Sequence, residues 1–185
     1  MRKIKILGIA GSLRKGSYNK SMLRAAQALV PDDAELEIFD LEGIPPFNQD
    51  LEADPPQRVK ELKSKAKSAD AILFSTPENN YSVPGVLKNA IDWASRPYGD
   101  SSWEGKAVGI MSASTGAMGG ERAQLHLRQS FVFLDMHPIN RPEVIVTFVS
   151  QKLDEDGNVT DDYTKDKIRE LLSALVAFAR KFSSE

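Results

Sequence analysis

Residues 3–19 read KIKILGIAGSLRKGSYN, and this stretch carries the pattern that decides the fold. Residues 3–10 are rich in Ile and Leu and predict a buried strand that ends at Gly11. Residues 19–30 then place apolar side chains on one face of a helix, and Pro31 ends that helix. A strand that runs through a glycine-containing loop into a helix is typical of the first unit of a parallel α/β sheet.

The rest of the chain repeats this alternation. Strand patterns occupy residues 34–39, 70–75, 106–114 and 143–150, and helical patterns lie between and after them. Five strands separated by helices predict a parallel sheet with helices on both faces. Because we find no linker, repeat or low-complexity tract, we expect residues 1–185 to form a single domain with three long surface loops. The loops are expected at residues 40–54, 96–105 and 151–162.

Composition narrows the possible functions. The formal net charge of −2 gives no electrostatic footprint for nucleic acid or for an anionic membrane surface. The chain has no Cys, which excludes disulfides, thiolate metal sites and a cysteine nucleophile. Only two His are present, and we predict no metal site. No targeting or membrane segment is recognisable, so we expect a cytoplasmic protein.

Three loops are candidates for the ligand site. In an open parallel sheet, ligands bind beyond the carboxyl ends of the strands, where the strand order reverses. The segments that follow the first, third and fourth predicted strands are residues 11–19, 76–85 and 112–120.

The first loop, GSLRKGSYN, favours an anion. It leads into a helix N-terminus, where backbone N–H groups attract phosphate, and Arg14 adds a charged fork. Ser12, Ser17 and Asn19 add short polar groups. The dinucleotide fingerprint is absent, and Ser17 stands where a nucleotide-binding P-loop has its Lys. A solvated turn capped by Ser and Asn is the alternative.

The other two loops are less specific. TPENNYSVPG, residues 76–85, has two prolines that restrict the backbone, so the N–H groups between them could meet the edge of a flat heterocycle. A simple helix-entry turn is the alternative. SASTGAMGG, residues 112–120, has small residues that let a ligand approach the backbone, or it is a flexible connection.

For Glu121 and Arg122 we consider a solvated helix face or a salt bridge across a subunit boundary, with Glu78 as a candidate partner of the Arg.

Together the three motifs resemble the NAD(P)H-dependent FMN reductase family, and its quinone, chromate and azo-dye reductases most of all. The resemblance runs from Ile4 to about Val149. It implies a flavodoxin-like three-layer sandwich with a five-stranded parallel sheet in the order 2-1-3-4-5. It also implies a homodimer or homotetramer. In one departure, Asn79 stands where the family commonly has an aromatic residue after Pro-Glu.

The resemblance also implies which residues bind FMN. It assigns the phosphate to Ser12, Arg14, Ser17 and Asn19. The isoalloxazine ring is assigned, largely through backbone groups, to Pro77, Glu78, Asn79, Asn80 and Tyr81. Ser112, Ser114 and Gly116 are placed near the other side of the cofactor.

The function implied is that of an enzyme. We expect hydride to pass from NADPH or NADH through FMN to quinones, azo compounds or metal oxyanions such as chromate, by a ping-pong mechanism. Such a scheme needs no obligatory acid–base side chain, and we name no catalytic residue. The alternative is a flavodoxin-like electron carrier or a redox-sensing flavin-binding module, although a carrier is usually strongly acidic and this chain is not.

Overall fold

The computed structural model describes residues 2–182, in which parallel strands alternate with helices. The strands are β1 (Ile4–Ala10), β2 (Ala34–Phe39), β3 (Ala71–Thr76), β4 (Ala107–Ala113), β5 (His137–Pro138) and β6 (Val144–Val146). The helices are α1 (Tyr18–Ala28), α2 (Gln57–Ser68), α3 (Gly85–Ala94), α4 (Glu121–Leu134) and α5 (Asp162–Ala179). Short 3-10 helices cover Gln49–Leu51 and Val149–Gln151.

The sheet order is β2-β1-β3-β4-β5, which confirms the predicted flavodoxin-like topology. Ile6 of β1 is in register with Leu36 of β2 on one side and with Ala71 of β3 on the other. The chain passes from β1 to β2 on one side of β1 and then crosses to β3 on the other side. This reversal creates the topological switch point where such folds bind ligands.

Two apolar cores cover the two faces of the sheet. Ile4 and Ile6 of β1 pack toward α1 and α5, whereas Leu7 and Ile9 pack toward α2, α3 and α4. Successive side chains of a strand point to opposite faces, so a strand that is apolar throughout feeds both cores. This explains why β1, β3 and β4 carry apolar residues on both faces over most of their length.

The fifth position of the sheet differs from the strand predicted at residues 143–150. It consists of two short strands, β5 and β6, which both pair with β4. Pro142 precedes β6 and has no N–H to donate to a ladder, so one continuous strand cannot form there. Beyond β6, Phe148 adopts a left-handed conformation with φ of 48° and turns the chain into the 3-10 helix.

Two helices, α1 and α5, begin at a residue whose side chain caps them. Ser17 caps α1 by accepting a hydrogen bond from the backbone N–H of Lys20, and Asp161 caps α5 in the same way from Thr164. In the part of the chain that the structure describes, every helix is too short or too polar to cross a membrane.

Candidate functional site

A cleft of about 430 Å³ opens at the carboxyl ends of β1, β3 and β4. All three candidate loops contribute to it, through residues 11–14, 17–19, 77–79, 84–86 and 113–115. It therefore lies at the switch point of the sheet, where the sequence predicted a ligand site.

Eight of the twelve predicted site residues line this cleft, and four do not. The eight are Ser12, Arg14, Ser17, Asn19, Pro77, Glu78, Asn79 and Ser114. The four that lie outside the lining are Asn80, Tyr81, Ser112 and Gly116. Contact of these twelve residues with a cofactor stays a prediction.

The first loop presents donors to the cleft. Ser17 stands at the N-cap of α1, so the free N–H groups of the first helical turn lie beside it. Arg14 is exposed, and its guanidinium lies 5.2 Å from the centre of the Tyr18 ring. Among residues 2–182, no carboxylate pairs with Arg14. The loop thus offers an unpaired cation at the cleft and a helix N-terminus, a combination that suits a phosphate.

Asn19 has a role that the sequence does not reveal. Its side chain is buried, and its amide Nδ2 donates to the carbonyl of Ala113 at 3.0 Å. Its Oδ1 accepts from the backbone N–H of Ala113 at 3.1 Å and from the Ser75 hydroxyl at 3.0 Å. One side chain therefore ties the start of α1 to the ends of β3 and β4. Asn19 also lines the cleft, where its backbone and the second N–H of Nδ2 can meet a ligand.

The second loop folds back on itself as a tight turn. Asn79 and Ser82 exchange two backbone hydrogen bonds, with N–O distances of 3.0 and 2.9 Å. Between them, Asn80 and Tyr81 have φ values of 50° and 66°, in the left-handed region that non-glycine residues rarely adopt. The turn exposes Asn80 and Tyr81 and leaves Asn79 at the cleft.

Glu78 forms an ion pair with Arg122 within one chain, whereas the sequence analysis considered such a salt bridge across a subunit boundary. The Arg122 guanidinium Nε donates to Oε1 of Glu78 at 2.6 Å, and the Arg122 backbone N–H donates to Oε2 at 3.2 Å. The hydrogen bond to Glu78 raises the pKa of Arg122. The same guanidinium lies 3.6 Å from the centre of the Tyr81 ring. The second loop is therefore bound to the N-terminus of α4.

The third loop leads into α4 through two glycines. Ser114 faces the cleft, and its hydroxyl accepts from the backbone N–H of Gly116. Ser112 is buried instead, where its hydroxyl accepts from the amide of Gln124 at 2.8 Å. Gly120 has φ of 90°, and a Cβ there would lie 2.8 Å from Cβ of Ser112. The start of α4 thus packs directly on the end of β4.

We expect Gly120→Ala to lower the free energy of unfolding by about 3 kcal/mol, because left-handed strain adds to steric overlap. Gly99→Ala is the matched control: Gly99 has φ of 79° but no neighbour within 4 Å of its Cβ position. It should cost about 1 kcal/mol from strain alone. Urea denaturation of both variants measures the difference. Equal losses would show that close packing at Gly120 is unimportant.

Sequence reasoning missed several residues of the cleft. The additional lining residues are Gly11, Leu13, Tyr18, Pro84, Gly85, Val86, Ala113 and Thr115. All except Val86 lie inside the three motifs already singled out, so motif position was a usable signal. The site was predicted mainly from polar groups, and the apolar lining residues were therefore not included. Apolar surface suits the body of a flat ligand.

Comparisons with known proteins agree on one family. The profile described as NADPH-dependent FMN reductase matches residues 4–151. An NAD(P)H-dependent FMN reductase of Pseudomonas aeruginosa is 48% identical over 179 residues, which cover 96% of each chain. An NAD(P)H:quinone oxidoreductase of Solanum tuberosum is 46% identical, over 98% of this chain and 96% of its own length.

A solved structure agrees as well. The flavoenzyme NAD(P)H:(acceptor) oxidoreductase FerB of Paracoccus denitrificans is 35% identical to this chain and superimposes with a TM-score of 0.89. The match covers 97% of this chain and 98% of that one.

Proposed function

This chain belongs to the NADPH-dependent FMN reductase family, and we propose that it is an FMN-dependent NAD(P)H oxidoreductase that reduces quinones. The observation that carries the proposal is the cleft at the switch point, because it combines an unpaired Arg, a helix N-terminus and a restrained loop. We extend the proposal to azo compounds and to metal oxyanions such as chromate, since an open cleft accepts acceptors of varied shape.

The residues of the cleft fit FMN. Arg14, Ser12 and Ser17 supply the charge and the hydroxyl groups that a phosphomonoester requires. Gly11 lets the first loop pack closely on β3 and α3, because a Cβ there would lie only 3.2 Å from both Thr76 Oγ1 and a Leu87 methyl group. Leu13, Val86 and Pro84 offer apolar surface to a ring system, and the volume of the cleft is in the range of ligand pockets.

Each part of the cleft has a distinct task in this proposal. Arg14 and the first turn of α1 hold the phosphate. The backbone N–H of Glu78 would meet the edge of the ring and stabilise negative charge there, since Pro77 has no N–H and that of Asn79 donates to Ser82. Bound FMN supplies the electron-transfer chemistry, which no side chain of this chain provides. The protein contributes binding and orientation, and we assign no acid–base residue.

A ping-pong mechanism follows from the architecture that we propose. Residues 4–179 form one sheet with its two helical layers, and we propose that the whole chain, residues 1–185, acts as a single domain. Met1 and residues 183–185 lie outside the described part. We propose that NADPH or NADH uses the same cleft as the acceptor, so that the first product leaves before the acceptor enters. Cytoplasmic location stays a prediction.

The decisive experiment is an absorbance spectrum of the purified protein after FMN loading and desalting. We expect bound flavin absorbance that is bleached by anaerobic NADPH or NADH and restored by a benzoquinone. A protein that retains no flavin would contradict the proposal. Retained flavin that neither nicotinamide reduces would favour the electron carrier or sensor.

We also propose that the protein forms a homodimer through the outer face of α4, or a homotetramer built from such dimers. Leu125, Val132 and Phe133 lie near one another on this helix at spacings of seven and eight residues. Val132 is 85% exposed and Phe133 79% exposed. Such an apolar stripe on a surface helix is typical of a protein contact.

Phe133→Asp should therefore shift the protein to monomers at micromolar concentration. Tyr163→Asp is the control, since Tyr163 is an exposed aromatic residue on α5, across the sheet from α4. Light scattering after gel filtration gives the mass of each variant. A wild-type protein that is already monomeric would contradict the proposed contact.

A further inference from the structure

The cleft contains one carboxylate, that of Glu78, which has an unusual environment. Glu78 lines the cleft, yet its side chain is only 10% exposed and turns toward the N-terminus of α4. There it accepts hydrogen bonds from the side chain and from the backbone of Arg122. The negative charge is thus neutralised on the side away from the cleft.

Arg122 also stabilises the shape of the loop. It stacks on Tyr81, one of two consecutive non-glycine residues with positive φ. Strained backbone of this kind persists only where the surroundings hold it in place. The guanidinium contacts both ends of the segment from Glu78 to Tyr81, so it is the group best placed to hold this turn.

We propose that Arg122 is a positioning residue which, with Glu78, sets the reduction potential of the cofactor bound in the cleft. This inference rests on the proposed function, because it requires FMN to lie against residues 77–79. Reduction places negative charge on a flavin ring, and a nearby unpaired carboxylate opposes it. The ion pair removes that opposition and keeps the loop in its binding conformation.

Substitutions of Arg122 and of Glu78 should shift the reduction potential of bound FMN in opposite directions. A purely structural role would not produce opposite shifts. Arg122→Met leaves a carboxylate beside the cleft and should weaken the binding of reduced FMN about tenfold relative to oxidised FMN. This corresponds to a potential about 30 mV lower for a two-electron couple. Glu78→Gln leaves the guanidinium unpaired and should raise the potential by a similar amount. In the double variant the potential should be close to that of the wild type. The same is expected for Arg122→Lys.

The experiment measures the midpoint potential of FMN bound to each variant by spectroelectrochemistry, together with the dissociation constant of oxidised FMN. All variants are measured at the same pH. Arg96→Met is the matched control, because Arg96 also pairs with a carboxylate, Glu52, and stacks on a tyrosine, Tyr98, outside the cleft. It should leave the potential unchanged.

The outcomes separate the proposed role of the Glu78–Arg122 pair from the proposed function. Opposite shifts in the two single variants, cancelled in the double variant, support the inference. Shifts in the same direction, or no shift in variants that still bind FMN, would overturn it. If Arg122→Met does not fold, Glu78→Gln alone tests the sign. A wild-type protein that binds no FMN would instead refute the proposed function.

Discussion

Asn19→Ala is expected to lower the free energy of unfolding by about 3 to 5 kcal/mol. The substitution leaves the backbone N–H and the carbonyl of Ala113 buried without partners, together with the Ser75 hydroxyl. Each unsatisfied buried group costs roughly 1–3 kcal/mol. Urea denaturation at equilibrium measures the loss.

Gln27→Ala provides the control on the same helix. Gln27 also donates an amide hydrogen bond to a backbone carbonyl, that of Leu36, but it is exposed. Water can replace its single bond, so the loss should stay near about 1 kcal/mol or below. If the two variants lose equal stability, Asn19 does not tie α1 to β3 and β4 in the way described.

Arg14→Ala is expected to weaken FMN binding by about 10- to 100-fold. A hydrogen bond to a charged group contributes roughly 1.5–3 kcal/mol, and each 1.4 kcal/mol corresponds to a factor of ten in affinity. Stability should change little, because Arg14 is exposed and makes no ion pair within the described part of the chain. Quenching of FMN fluorescence on titration with protein gives the dissociation constant.

Lys15→Ala removes the same charge from the same loop and separates contact from general electrostatics. Lys15 is exposed and does not line the cleft. Its replacement should weaken FMN binding less than threefold, as expected for a screened charge at a distance. Unchanged affinity in the Arg14 variant, or equal losses in both variants, would refute the assignment of Arg14 to the phosphate.

The fold was predictable because its signals are local. The strand at residues 3–10 and its loop lie in one continuous stretch, and each later strand is marked by its own apolar run. The predicted bounds of the fifth strand differ from the observed ones for two reasons. One interruption lies inside the apolar run at residues 143–150, and another lies just before it. Pro142 cannot extend the ladder, and Phe148 turns the chain away from the sheet.

The site was predictable only as a set of loops. Motif chemistry indicated which segments would meet, but not what each side chain does there. Asn19 was expected to contact a phosphate, which stays a prediction, and the structure shows in addition that its amide is bonded to β3 and β4. A helix-capping Asn and a buried Asn have the same sequence signature. The contacts of Arg122 could likewise not be predicted from the sequence in full, because Glu78 lies 44 positions away along the chain.

The interrupted fifth position has a consequence for how copies of the protein can meet. β5 and β6 contain only two and three residues, so this edge of the sheet offers no long row of free backbone groups. At the opposite edge, β2 exposes Glu35 and Glu37, whose charges repel a second strand. Both edges therefore resist strand addition and the amyloid-like aggregation that begins with it. Association of folded copies is left to the helical surfaces.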